Sequence, residues 1–127
     1  MIRGIRGATT ITENDAEKIL RATEALVTEM ITKNDIKADD VAHVIITVTD
    51  DIDAAFPAKA IRSFEGWTYV PVMCSREIPV PGSLEHCIRI MMTVNTTKAQ
   101  QDIEHVYLEK AVQLRPDLQL TKDHRSR

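Results

Sequence analysis

An α+β fold, with a small mixed β-sheet carrying two main helices on one face, is predicted by three features of the 127-residue chain. Residues 14–33 repeat apolar side chains at spacings of three and four, several short runs are rich in β-branched residues, and Pro and Gly punctuate the intervals between them. The resulting order is βαβαββ with a final element. Length and a 43% hydrophobic content suit one domain, placed at residues 1–120, with the polar segment 121–127 (TKDHRSR) expected to be a frayed or disordered tail.

The opening segment MIRGIRGATTI reads as a strand in which Gly4 and Gly7 allow close backbone approach. The clearest helix follows, with Asn14 as its expected cap, Glu17 completing a capping box, and Ala16, Ile19, Leu20, Thr23, Leu26, Val27, Met30 and Ile31 on one face. VAHVIITVT, residues 41–49, is nearly continuous in apolar character, as a central strand covered on both faces would be. DDIDAAFPAKAIRSFEG predicts a loop and a second, shorter helix capped by Asp53 or a neighbour, with Pro57 in its first turn and Gly66 ending it. WTYVPVMCS predicts a third strand, REIPVPGS a proline-fixed loop, and HCIRIMMTVNT a fourth strand. AQQDIEHVYLEKAVQLRP, residues 99–116, suits either one helix or a helical turn followed by a strand, with 104–113 open to both; a short helix and then a strand is the preferred assignment. Two helices cover only one face of such a sheet, so the other face is expected to pack against copies of the chain.

Sixteen basic residues against nineteen acidic ones, a net charge of −3, lack the basic footprint of a nucleic-acid binder, and the isolated GxxG of GIRG does not restore it. The longest uncharged stretch, Gly66 to Ser75, is ten residues, too short to span a bilayer. Cys74 and Cys87 form no CxxC or Cys/His cluster, so neither a structural metal nor a disulfide framework is indicated, and a cytoplasmic location is expected. His43, His86, His105 and His124 show no spacing that suggests a triad or ligand set.

Arg89 is the chemically conspicuous residue. It stands within an apolar strand, sharing a side with Cys87, Met91 and Thr93, and no Asp or Glu occurs between Glu85 and Asp102 to pair with it locally. An amphipathic strand whose Arg reaches water is the plain explanation; a carboxylate from elsewhere in the fold, or an anion brought by a ligand, are the alternatives. Arg6 poses the same choice between an edge-strand charge and an anion site. Glu77 enters the proline-fixed loop from a strand end, whereas Cys74 and Tyr107 suit core roles, Lys59 and Arg62 a solvated helix face, and Arg115 a surface turn. Together these residues offer several cations, a carboxylate and a phenol, without an evident nucleophile, catalytic histidine, metal cluster or phosphate loop. That set suits binding of an acidic small molecule and catalysis through binding.

The segments RGIRGATT, FPAKAIR, GWTYVPVMC, CIRIMMTVNT and HVYLEKAVQLRPDL, in this order and at these intervals, resemble the small monofunctional chorismate mutases, the trimeric type unrelated to the all-helical enzymes of the same activity. The resemblance runs from Met1 to about Leu120. It implies a homotrimer whose sheets gather into a pseudo-α/β barrel, with active sites between neighbouring subunits. It also implies the reaction, a concerted [3,3] rearrangement of chorismate to prephenate in phenylalanine and tyrosine biosynthesis, without cofactor or metal. By the same resemblance Arg89 faces the ether oxygen and a carboxylate, Arg6 and Tyr107 bind carboxylate, and Glu77 with the Cys74 region holds the ring and its hydroxyl. Phe56, Ala58, Lys59, Arg62, Val72 and Leu114 line the cleft, Met73, Ser75 and Arg76 contribute to substrate binding, and Arg115 with the tail closes over it. Met73 departs from the smaller polar residue expected at its position, and Arg76 is atypical beside Glu77. Two readings from other classes stand beside it: a trimeric imine or enamine deaminase, which the sheet-and-helix pattern also resembles, and a non-enzymatic module that senses an aromatic-pathway metabolite and binds it without turnover.

Overall fold

The computed structural model describes residues 1–114; Arg115, His124, the expected domain end at Leu120 and the tail 121–127 lie outside the described residues. Five strands form one mixed sheet: β1 (Ile2–Thr10), β2 (Val41–Val48), β3 (Val72–Arg76), β4 (Cys87–Asn95) and β5 (Val106–Tyr107). Their order is β3-β2-β4-β1-β5. β4 lies antiparallel between β1 and β2, while β2–β3 and β1–β5 are parallel. The two helices are α1 (Ala16–Asn34) and α2 (Ala58–Arg62).

Alternation along the strands divides the sheet into two unlike faces. Ile5, Val44, Ile46, Ile88, Ile90, Met92, Val94 and Val106 are buried with Ile19, Leu26, Val27 and Met30 of α1 in a single core. Each such side chain removed fully from water contributes about 1.5–3 kcal/mol before entropy is counted. Gly7 faces α1 so closely that a Cβ there would sit 2.5 Å from the Met30 sulfur, which explains a glycine in mid-strand. The opposite face, which includes Ile45, Met73 and Met91, is exposed. β2 is therefore covered on one face within a single chain: its polar His43 and Thr47 alternate with the buried residues, and the apolar Ile45 between them masks the alternation.

The helix caps also differ from expectation. Asp15, not Asn14, caps α1 by accepting from the Lys18 N–H at 3.1 Å. The Asn14 side-chain oxygen instead accepts from the backbone N–H groups of Asp53 and Ala54, while its amide donates to the Asp53 carboxylate. Asp53 therefore closes a loop against α1 and does not cap α2, which begins after Pro57 without a side-chain cap. Gly66, with φ 86°, makes the turn beyond α2, and the third strand begins only at Val72, because residues 67–71 are turns around the buried Trp67. Between β4 and the end of the described chain a 3-10 turn, Gln100–Asp102, precedes β5, as the preferred assignment has it; a second turn, Glu109–Gln113, follows. Buried Asn34, at the end of α1, exchanges two hydrogen bonds of 2.8 Å with the backbone of Glu104 and so anchors the approach to β5.

Candidate active site

The exposed sheet face collects the cations. Strand register sets Ser75, Thr47, Arg89, Ala8 and Tyr107 side by side across the five strands. The adjacent row holds Met73, Ile45, Met91 and Arg6. Side chains in such rows stand within reach of one another. Arg6, Arg89, Tyr107 and Leu114 accordingly line one cleft of about 290 Å³ with Thr47, Ile45 and Met91.

Arg89 is met by a carboxylate of the fold, one that lies outside its own strand. Its Nε donates to Glu77 Oε2 at 3.1 Å, and the same oxygen accepts from the Thr47 hydroxyl at 2.7 Å. The pairing escapes local sequence inspection because Glu77 lies just beyond β3 and reaches Arg89 across β2; its backbone N–H is held by the Val48 carbonyl. Glu77 is 15% exposed and Arg89 47%, so the guanidinium keeps a solvent-facing side. Among the described residues Glu77 pairs with Arg89 and not with neighbouring Arg76. Arg6 is steadied from behind, its backbone N–H donating to His105 Nδ1 at 3.0 Å. Among the described residues the buried Tyr107 hydroxyl has no hydrogen-bond partner, an unsatisfied state that native structures rarely leave unexplained.

A second group forms elsewhere. Phe56, Ala58, Lys59, Arg62, Val72 and Cys74 line a separate cleft of about 550 Å³ beside α2. Cys74 and Val72 alternate with Met73 and Ser75 along β3 and so point to its helix side. Within one chain the site residues thus fall into two clusters, one around Arg89 and one around α2, and Cys74 is not brought to Arg89. Arg115 lies outside the described residues. A larger cavity of about 870 Å³, between α1 and residues 82–86, contains none of the sequence-predicted site residues.

Three interactions were not visible in the sequence. One is the Thr47 bond to Glu77, and another the His105 bond behind Arg6. The third holds the start of β4: Asp51 accepts from the Thr49 hydroxyl and from the backbone N–H of His86 at 2.9 Å, and the Thr49 hydroxyl accepts from the Cys87 N–H at 3.0 Å. His86 has a φ of 49°, so these bonds hold a residue in the left-handed region immediately before the strand that carries Arg89. Burial opposes ionisation of Asp51, but Thr49, the His86 N–H and the His86 ring outweigh it and hold the carboxyl below its ordinary 3.8. The stabilisation from Asp51 is therefore present above that value and is lost as pH falls through the lower folded value. Asp51→Asn is expected to be less stable than the parent at pH 7, with the difference narrowing below about pH 4, as urea titrations across that range will measure.

The chemistry of the site is electrostatic. Burial pushes the Cys87 thiol up, partly offset by Arg89 and reinforced by Glu77, so it remains protonated at neutral pH and is a poor nucleophile. Arginines stay charged, and a phenol and a carboxylate complete the donor and acceptor set around the first cleft.

A family model described as chorismate mutase type I matches residues 2–118. Chorismate mutase AroH of Bacillus subtilis (strain 168) is 53% identical over 123 residues, covering 97% of each chain. Chorismate mutase AroH of Thermus thermophilus is 48% identical over 120 residues, 94% of this chain and 98% of the relative. Among solved structures, a chorismate mutase from Clostridium thermocellum superposes with a TM-score of 0.82 at 55% identity, over 85% of this chain and 96% of that one. No helix among the described residues is long and apolar enough to cross a membrane. The matched span takes in the strands carrying Arg6, Arg89 and Tyr107 and the loop start at Glu77, and by it the chain belongs to the type I chorismate mutase family.

Proposed function

We propose that the protein converts chorismate to prephenate at the Arg89 cleft, with Arg89, Arg6, Tyr107 and Glu77 as its reacting-site groups and the α2 cluster of a second copy as its other wall. The carrying observation is the cross-strand row that holds Arg89, paired with Glu77, and, across Ala8, a buried Tyr107 hydroxyl with no partner among the described residues, with Arg6 in the adjacent row. The reaction breaks the ether C–O bond as a C–C bond forms between the ends of the same molecule. No proton, electron or group leaves, so the site needs no nucleophile or cofactor. It must fold the enolpyruvyl side chain over the ring and stabilise the negative charge that grows on the ether oxygen.

Arg6 and the Tyr107 hydroxyl suit a substrate carboxylate, which would give the hydroxyl the partner it lacks among the described residues. The outward donors of Arg89 suit the ether oxygen, while Glu77 keeps the guanidinium in place and lies near enough to balance positive character on the ring. At about 290 Å³ the cleft is at the small end of the range for ligand sites, and it lies on a sheet face whose apolar Ile45, Met73 and Met91 are uncovered. A homotrimer that packs these faces together would bring Phe56, Lys59, Arg62, Val72 and Cys74 of a neighbour to the opening. The same packing gives Met73 and Ser75 a place at the interface, with Arg76 at its margin. Sedimentation is expected to give a trimer; a monodisperse monomer would contradict the shared site.

The test is loss of the conjugated-diene absorbance of chorismate with purified protein and no added metal or cofactor. Rapid loss with prephenate as product is expected. Binding without turnover would support the metabolite-binding alternative, and the spontaneous rate alone would refute the proposal.

A further inference from the structure

We infer that Thr47 is a positioning residue for the rearrangement: its hydroxyl fixes the Glu77 carboxylate, which in turn fixes the direction of the Arg89 guanidinium. The inference rests on the roles given to Arg89 and Glu77 above. One carboxylate oxygen, Glu77 Oε2, receives both the Thr47 hydroxyl at 2.7 Å and Arg89 Nε at 3.1 Å. Thr47 is also the direct cross-strand partner of Arg89 and lines the same cleft.

The three side chains differ in stiffness. Arg and Glu have several rotatable bonds and lose substantial freedom when ordered, and Arg89 is half in solvent, so neither can hold the other in a single direction. Thr47 is β-branched, and its strand position restricts its first side-chain torsion. It is thus the member of the set whose oxygen is placed by the backbone. An ionised carboxylate only accepts, so the hydroxyl must donate to Glu77. With Nε engaged by Glu77, the Nη groups of Arg89 can donate to a substrate oxygen, and a planar group turned by a small angle at that point would miss it.

Thr47→Val keeps the side-chain shape and removes the donor, and Thr47→Ser keeps the donor. Each is to be measured with chorismate in the parent and in a Glu77→Ala background, beside Arg89→Ala. Thr47→Val is expected to lower kcat about tenfold with KM changed by less than about twofold. Thr47→Ser is expected to recover most of that loss. In the Glu77→Ala background the Thr47→Val effect is expected to vanish, because the acceptor is gone. A general folding defect would persist there. Circular dichroism and thermal melting check the fold, and Thr47→Ala serves the same comparison if the valine variant does not fold.

Parent-like kinetics for Thr47→Val, an undiminished loss in the Glu77→Ala background, or no recovery with serine would each overturn the inference. Parent-like turnover by Arg89→Ala would instead overturn the site reading beneath it. An inactive Arg89→Ala together with a fully active Thr47→Val would remove Thr47 alone.

Discussion

Arg89→Ala is expected to lower kcat for chorismate at least about 1,000-fold while leaving the fold and the oligomer intact. Removal of one preorganised donor aimed at a developing oxyanion costs about 3–4 kcal/mol of transition-state stabilisation, and here a full charge is lost with it. The structural cost is small by comparison, since the side chain is 47% exposed and pairs with a Glu77 that retains the Thr47 hydroxyl. Steady-state kinetics with circular dichroism and sedimentation separate the two effects. Arg89→Lys refines the test: it keeps the charge but has no Nε–H for Glu77 and no planar fork, so a loss of at least about tenfold is expected. Parent-like turnover by the alanine variant would exclude Arg89 from the chemistry.

Ile90→Ala has the largest expected effect on stability. Ile90 neighbours Arg89 in sequence but points the other way, 2% exposed, into the core on α1's side of the sheet. It stands in the middle of the sheet, opposite Gly7 of β1 and Ile46 of β2. Truncation to Ala removes three carbons from a site whose strand neighbours on both sides limit collapse, and a loss of about 3–4 kcal/mol is expected. Against a typical total of about 5–15 kcal/mol, that shift is large. Urea unfolding at fixed protein concentration, with the slope unchanged and the midpoint lowered, measures it. A midpoint within error of the parent would mean that Ile90 does not fill the core as described.

The elements with strong periodicity were legible from the sequence. The α1 stripe, except for Ala16 at its exposed start, and the β4 alternation, which puts Arg89 and Met91 on one side and Ile88, Ile90 and Met92 on the other, appear as read. Choices between adjacent groups were not legible. Asn14 and Asp15 are both good caps, and the matter is decided by the loop N–H groups of Asp53 and Ala54, some forty residues away. The pairing of Arg89 with Glu77 is a fact of sheet order, because β3 reaches β4 only across β2. Thr47 was hidden for a related reason: within a run of Ile and Val it reads as a β-branched filler, and only its register opposite Arg89 reveals the hydroxyl's task.

The division of the candidate site has an equally local cause. Strand alternation sends Cys74 toward α2 and Ser75 toward the Arg89 face. Sequence proximity therefore places Cys74 and Glu77 together, while the pleat and the loop separate them. Resemblance supplied the set of residues, and the fold distributes that set between two clefts of one chain.

A crystal structure with bound prephenate tests the proposed shared site most directly. The expected result is one molecule of prephenate per interface, its carboxylates on Arg6, Arg89 and Tyr107 of one copy and its exposed side against Lys59 and Arg62 of another. Prephenate held wholly within one chain, or in the cavity between α1 and residues 82–86, would contradict it.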